Sequence, residues 1–173
     1  MPLTDNPQWA AVYTAPRAEK AVTARISDEL RLEAYLPVRK VVRRWSDRFK
    51  EVEQPLIPSY TFVRLSAKDV VRVRQVRGVV GFVMFGASGI AVIPPCEMDA
   101  VRRLAESAEE LRVCNTRLLH VDAHVRVKFG YFEGLEGCIV RDCKDGNFSV
   151  RISQLDISLV MDMPSSVLEV LPK

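Results

Sequence analysis

At 173 residues, 48% apolar and 27% charged, the chain has the balance of an ordinary soluble protein of one domain or two small ones. Its longest apolar runs, such as 79–85, are far too short to span a bilayer. The opening MPLTDNPQW has neither a basic nor an apolar leader region, so the expectation is a cytoplasmic protein with no membrane association. The net charge of +3 is uneven: residues 1–106 carry 17 Lys+Arg against 12 Asp+Glu, and residues 107–173 carry 8 against 10. A basic half joined to a slightly acidic one suggests two domains with different partners.

Trp9 to Tyr13 is a short apolar run with an aromatic at each end and reads as a strand. Thr14-Ala15-Pro16 reads as a helix start with proline near the first helical position. From Pro16 to Leu30 the residues Ala18, Val22, Ile26 and Leu30 recur every four, which makes an amphipathic helix. Residues 34–37 lead into a second strand. Val38–Trp45 then pairs with Arg48–Glu53 across a Ser46-Asp47 turn, giving a basic hairpin that carries Arg39, Lys40, Arg43 and Arg44. Its charges serve equally as a solvated face or as a phosphate-facing arm. Pro55 and Pro58 cannot donate to a sheet ladder, so they separate this hairpin from the next strand, Tyr60–Val63.

Ser66 and Asp69 are placed to cap a short helix, Ala67–Gln75, although the β-branched run Val70–Val73 also admits a strand. Val79–Phe85 reads as a buried strand, Gly86–Gly89 as a turn and Ile90–Ile93 as a strand. Pro94-Pro95 then starts a helix from Glu97 to about Leu111, with an apolar stripe of Met98, Val101, Leu104, Ala108 and Leu111. The first domain, 1–111, is therefore expected to be α+β, an antiparallel sheet flanked by helices. Periodicity is lost over 112–122, which reads as a linker. Five short strands follow in 123–173, near 125–128, 137–141, 147–152, 158–161 and 167–171. Asp145-Gly146 signals a tight turn between the second and third. A small all-β barrel is the natural architecture.

No glycine-rich phosphate loop precedes a helix, and no nucleophile elbow or local His–carboxylate pair is present, so nothing points to an enzyme. Cys138-x4-Cys143 with His120 and His124 is a weak metal signal. Without a Cys-x2-Cys pair, Cys96, Cys114, Cys138 and Cys143 read as buried or incidental thiols, and neither a metal nor another cofactor is expected.

The sharpest motif is Val125–Val140, a strand running into a loop with Gly130, Gly134 and Gly137 and then a second strand. Glycines there permit positive φ and close backbone approach, while Phe132 and Leu135 tuck under the loop. This resembles the KOW motif of ribosomal proteins and transcription elongation factors. Upstream, the series Trp9–Tyr13, Pro16–Lys20, Tyr35-Leu36-Pro37, Pro55–Val63 and Arg77-Gly78-Val79 resembles the N-terminal domain of the NusG family. Trp45–Arg48 and Val83–Ser88 are similar to its specialised branch, the RfaH- and UpxY-type antiterminators. Where the family usually has Phe-Pro-Gly-Tyr, this chain has Ile57-Pro58-Ser59-Tyr60.

The resemblance implies a monomeric elongation and antitermination factor with an NGN-like first domain and an SH3-like KOW barrel. The first domain would bind the β′ clamp helices of RNA polymerase and reach the β lobe, suppressing pausing and termination in particular operons. The KOW domain would reach Rho or a small-subunit ribosomal protein. An apolar groove suits a helical partner, and Trp9, Tyr13, Ile57, Tyr60, Phe62 and Phe82 are its candidates. For the non-template DNA strand the candidates are Arg17, Lys20, Arg74 and Arg77, with the hairpin cations a second set. The alternative is a ribosome-associated RNA-binding KOW protein.

Overall fold

The computed structural model describes residues 3–44, 48–84, 89–107, 111–115, 120–142, 144–152, 155 and 157–172. The chain divides into two compact units, Met1–Pro95 and Cys96–Lys173.

The first unit is built on a five-stranded sheet. Its central strand is β1 (Gln8–Thr14), antiparallel to β5 (Tyr60–Leu65) on one side and to β6 (Val79–Phe82) and β7 (Val92–Ile93) on the other. The three-residue β2 (Glu33–Tyr35) closes the far edge against β5. Helix α1 (Glu19–Leu30) lies on one face, turning Val22 and Ile26 into a core with Ala10, Val12, Val63, Leu65, Val73, Val76, Phe82 and Ile90. Each valine, leucine or isoleucine among them contributes about 1.5–3 kcal/mol by leaving water. The stripe read every four residues is thus the packed one, with Ala18 and Leu30 at its margins.

Helix α1 starts at Glu19, later than the proline at position 16 suggests. Ala15 N donates to Gly78 O (2.8 Å) and Arg17 takes a left-handed backbone (φ 65°), so the chain turns before it can wind. The ambiguous 67–75 stretch is helical: one 3-10 turn, Ala67–Asp69, runs into α2 (Val70–Arg74). Ser66 N and Oγ both donate to Asp69 Oδ2 (3.1 and 2.7 Å), and this capping overrides the strand preference of the valines. The basic hairpin forms as a separate two-stranded sheet, β3 (Val38–Arg44) against β4 (Phe49–Pro55), while its Ser46-Asp47 turn lies outside the described residues. The strand expected over 79–85 stops at Phe82, Val80 is 64% exposed, and Met84 keeps only a bridge to Ile90. A register shift at Tyr13/Thr14 accounts for the outward Val80. The Gly86–Gly89 turn lies mostly outside the described residues.

The second unit opens with α3 (Pro95–Glu106), which buries Met98, Ala100, Val101 and Leu104. It ends five residues before Leu111, because Ser107 N and Oγ both bond back to Leu104 O and close the last turn. A six-stranded antiparallel sheet follows: β8 (Arg112–Asn115), β9 (His120–Val127), β10 (Glu136–Asp142), β11 (Lys144–Ile152), β12 (Ile157–Asp162) and β13 (Leu168–Val170). The order is β13-β9-β10-β11-β12-β8. The last five strands are those expected of a KOW domain, but the sheet is open rather than a closed barrel, with β13 and β8 at its edges. Part of the stretch read as linker is β8, paired with β12 from Ile157↔Asn115 to Val160↔Arg112. Asp145-Gly146 does not make the turn. The pairing Asp142↔Lys144 brings the connection forward, and both residues lie within β11.

Candidate functional site

Alternation along β1 sorts the aromatic candidates. Trp9, Ala11 and Tyr13 share the face away from α1, and across the β1–β5 ladder Ala11 meets Phe62 and Tyr13 meets Tyr60. The Tyr13 and Tyr60 rings make an edge-to-face contact at 5.3 Å. Tyr13 is 43% exposed and Tyr60 half-buried, whereas Trp9 and Phe62 are buried. Burial pushes the Tyr60 phenol up, with Tyr13 adding to it, so Tyr60 presents a neutral hydroxyl at pH 7. Ile57 is buried in the connection from β4 to β5. Phe82 stands apart: it pairs with Val12 and belongs to the core under α1.

The turn that delivers Tyr60 is fastened from two sides. Ser59 has φ 64°, its N–H donates to Glu19 Oε1 (2.8 Å), and its carbonyl accepts from Thr14 N (2.8 Å). Glu19 itself is only 5% exposed.

The cationic candidates fall into separate places. Arg77 lines a cavity of about 510 Å³ with Arg25, Glu29, Leu30, Arg72, Gln75 and Val76. Arg25 Nη1 donates to Arg77 O (2.8 Å), while Arg72 bonds to Asp69 Oδ1 (3.3 Å) and Leu30 O (3.4 Å). Sequence reading missed Arg25 and Arg72, because each looked like an ordinary polar position on its own helix. Arg74 projects from α2 differently, its guanidinium carbon 5.9 Å from the Phe82 ring centre. Arg17 and Lys20 line another cavity with Glu19, Glu53, Gln54, Pro55 and Pro58. There Lys20 Nζ is 2.9 Å from Glu53 Oε2, and this lysine, followed by Lys40, holds the Glu53 carboxyl below its ordinary value.

The hairpin has two unlike faces. Register groups Val38, Lys40, Val42 and Arg44 with Phe49, Glu51, Glu53 and Pro55, and Lys40 pairs with Glu51 at 3.1 Å. The opposite face groups Arg39 and Val41 with Lys50, Val52 and Gln54, and carries no carboxylate among these residues. Near the tip, Phe49 (72%) and Val42 (64%) are exposed.

In the second unit the glycine loop is tightly determined. Gly130 (φ 95°) and Gly134 (φ 78°) adopt backbones that disfavour side chains. At Gly137 a Cβ would run into Ser149 O and meet the Phe148 ring at 2.7 Å, so no side chain fits. Phe132 and Leu135 are buried beneath the loop, as read from the sequence, while Phe129 and Tyr131 are exposed on it. Arg103 of α3 donates to Tyr131 O (2.6 Å) and Glu133 O (3.1 Å). Cys138 Sγ lies 3.5 Å from His124 Nδ1 on the neighbouring strand, and burial pushes its thiol up. Among the described residues no three His, Cys, Asp or Glu side chains come together as a metal set. Nor, among them, is any helix long and apolar enough to cross a membrane.

The sequence profile of the family described as "Transcription termination factor nusG" matches residues 7–102. No curated protein matches the chain. A solved structure concerning domain interaction in the NusG of Thermotoga maritima is similar at 22% identity, covering 96% of this chain and 98% of that one, with a TM-score of 0.56. At that identity the likeness speaks for the fold.

Proposed function

The chain belongs to the NusG family of transcription elongation and termination factors, and on that premise we propose that it binds the β′ clamp helices of RNA polymerase through the Tyr13–Tyr60 face of its first unit. The observation that carries this reading is the two-tyrosine contact, half open to solvent above a sheet face that also holds Trp9 and Phe62. Aromatic anchors over apolar neighbours suit the apolar stripe of a helical partner. The turn after the buried Ile57 sets the rim, and Phe82 supports the sheet from the opposite face. The factor bridges toward the β lobe, disfavours pausing and suppresses termination.

Arg77, with Arg25 and Arg72 around the same cavity, and Arg74, Arg17 and Lys20 from their own separate places, meet the phosphates of the non-template strand. The carboxylate-free hairpin face, with Arg39 and Lys50, supplies a second phosphate contact. The glycine loop of the second unit, with Phe129 and Tyr131 exposed on it, receives Rho or a small-subunit ribosomal protein. The resemblance at Trp45–Arg48 and Val83–Ser88 favours an operon-restricted role. Chromosome-wide occupancy of the tagged chain tests this: it should coincide with polymerase in a few long operons. Uniform occupancy of all transcribed genes would assign it the general role, and occupancy without polymerase would overturn the reading.

A further inference from the structure

We propose that Glu19 is a positioning residue for the polymerase-binding face, holding the Pro58–Tyr60 turn in the shape that presents Tyr60. The inference rests on the reading of that face given above. A carboxylate is costly to bury unless hydrogen bonds replace its water, and Glu19 is 5% exposed. Its bond to the Ser59 N–H at 2.8 Å supplies that replacement and is charge-assisted. Its place in the first turn of α1 adds the favourable field of the helix N-terminus.

What the carboxylate holds is a backbone that would otherwise relax. Ser59 sits at φ 64°, where the Cβ of an L residue crowds its own carbonyl. Such a conformation persists only when its surroundings over-determine it. Here the two peptide groups flanking the Ser59 Cα are both held: the N–H by Glu19 and the carbonyl by Thr14 N. The next residue is Tyr60, which enters β5 opposite Tyr13. If Ser59 left the left-handed region, the direction of chain entry would change and Tyr60 would lose its edge-to-face contact. Glu19 is itself fixed. Thr23 Oγ1 lies 2.8 Å from Glu19 O and 2.7 Å from Thr61 Oγ1, which is 3.2 Å from Tyr35 O, and the two hydroxyl protons serve two of these three contacts. That chain of bonds ties the first turns of α1 to β5 beside the turn in question.

The test uses the full chain with Glu19→Ala, Glu19→Gln and the double variant Glu19→Ala/Ser59→Gly. Two quantities are read: hydrogen exchange of the residue 59 amide by NMR, and affinity for core RNA polymerase at fixed salt. Glu19→Ala should speed Ser59 exchange and weaken polymerase binding by about 5–10-fold, the size of one lost charge-assisted bond. Glu19→Gln keeps an acceptor oxygen and should stay within about twofold of the parent in both. Adding Ser59→Gly should restore affinity, because glycine holds a positive φ without help. Unchanged Ser59 exchange in folded Glu19→Ala would overturn the proposal. So would a loss of affinity that Glu19→Gln shares and Ser59→Gly does not relieve, since that marks general damage to the fold. If the parent chain fails to bind polymerase, the proposed function falls, and Ser59 exchange alone then decides whether Glu19 holds the turn.

Discussion

Single residues in this chain are constrained for different physical reasons, and the reasons predict different costs. Gly134 needs its left-handed backbone but has open space around it, whereas Gly137 is pressed against Ser149 O and the Phe148 ring. Gly134→Ala should therefore destabilise by about 1–2 kcal/mol through backbone strain alone. Gly137→Ala should cost about 3 kcal/mol or more, because backbone and an aromatic ring must both move. Denaturant unfolding of the two variants checks the order, and equal losses would contradict it. The cations around α2 make a second prediction. Charge reversal of Arg74 and Arg77 together should weaken recruitment to a paused complex with exposed non-template strand and reduce its salt dependence. Recruitment unchanged by the double reversal would remove DNA from the proposal. Residue-level features were unevenly legible beforehand. The serine standing where the family has glycine was visible at position 59, but its φ of 64° and its clamp by Glu19, forty residues away, were not. Long-range hydrogen bonds leave no local pattern to read.

At the scale of elements, local signals worked where one interaction dominates. The stripe Val22–Ile26, the hairpin from Val38 to Glu53, whose second strand in fact runs on to Pro55, and the strands flanking the glycine loop were readable from periodicity and breakers. For residues 66–74 the valines argued for a strand and the Ser66–Asp69 pair for a helix, and the cap decided. That cap carries a pH signature. The Ser66 hydroxyl first, then its N–H and Arg72, hold the Asp69 carboxyl below its ordinary value. A carboxylate with a lowered folded pKa stabilises fully above its unfolded pKa, and this contribution disappears as pH falls through the lower folded value. The cap of α2 should thus survive down to about pH 4 and loosen only below the ordinary carboxylate range. Ser66→Ala should raise the Asp69 midpoint toward the ordinary carboxylate value, followed by carboxyl NMR. An unmoved midpoint would contradict the assignment. Elements misread from the sequence share a cause. The start of α1, the end of α3 and the turn between β10 and β11 are set by bonds from Ala15 to Gly78, from Ser107 to Leu104 and by the pairing of Asp142 with Lys144. Strand β8 forms only because β12 offers it an edge, so its four residues looked like linker.

For the whole molecule, a change between the two halves was legible in charge, periodicity and turn spacing, while the structure divides into its compact units at Pro95/Cys96, so that α3 opens the second unit ahead of its sheet. The candidate site was legible as a set of residue types, and less so as a surface. Alternation along β1 gathers Trp9, Tyr13, Tyr60 and Phe62 on one face and sends Phe82 to the other, a sorting that depends on the β1–β5 and β1–β6 registers. The family assignment makes transcription the setting, and the two-tyrosine face makes polymerase docking the central claim. It is tested most directly by the affinity of the full chain for core RNA polymerase, measured in parallel with intact polymerase, with polymerase lacking the β′ clamp helices, and with the Tyr60→Ala chain. The account predicts binding that disappears without the clamp helices and weakens by about 2 kcal/mol on losing a central aromatic anchor. Binding that is indifferent to both the clamp helices and Tyr60 would contradict it.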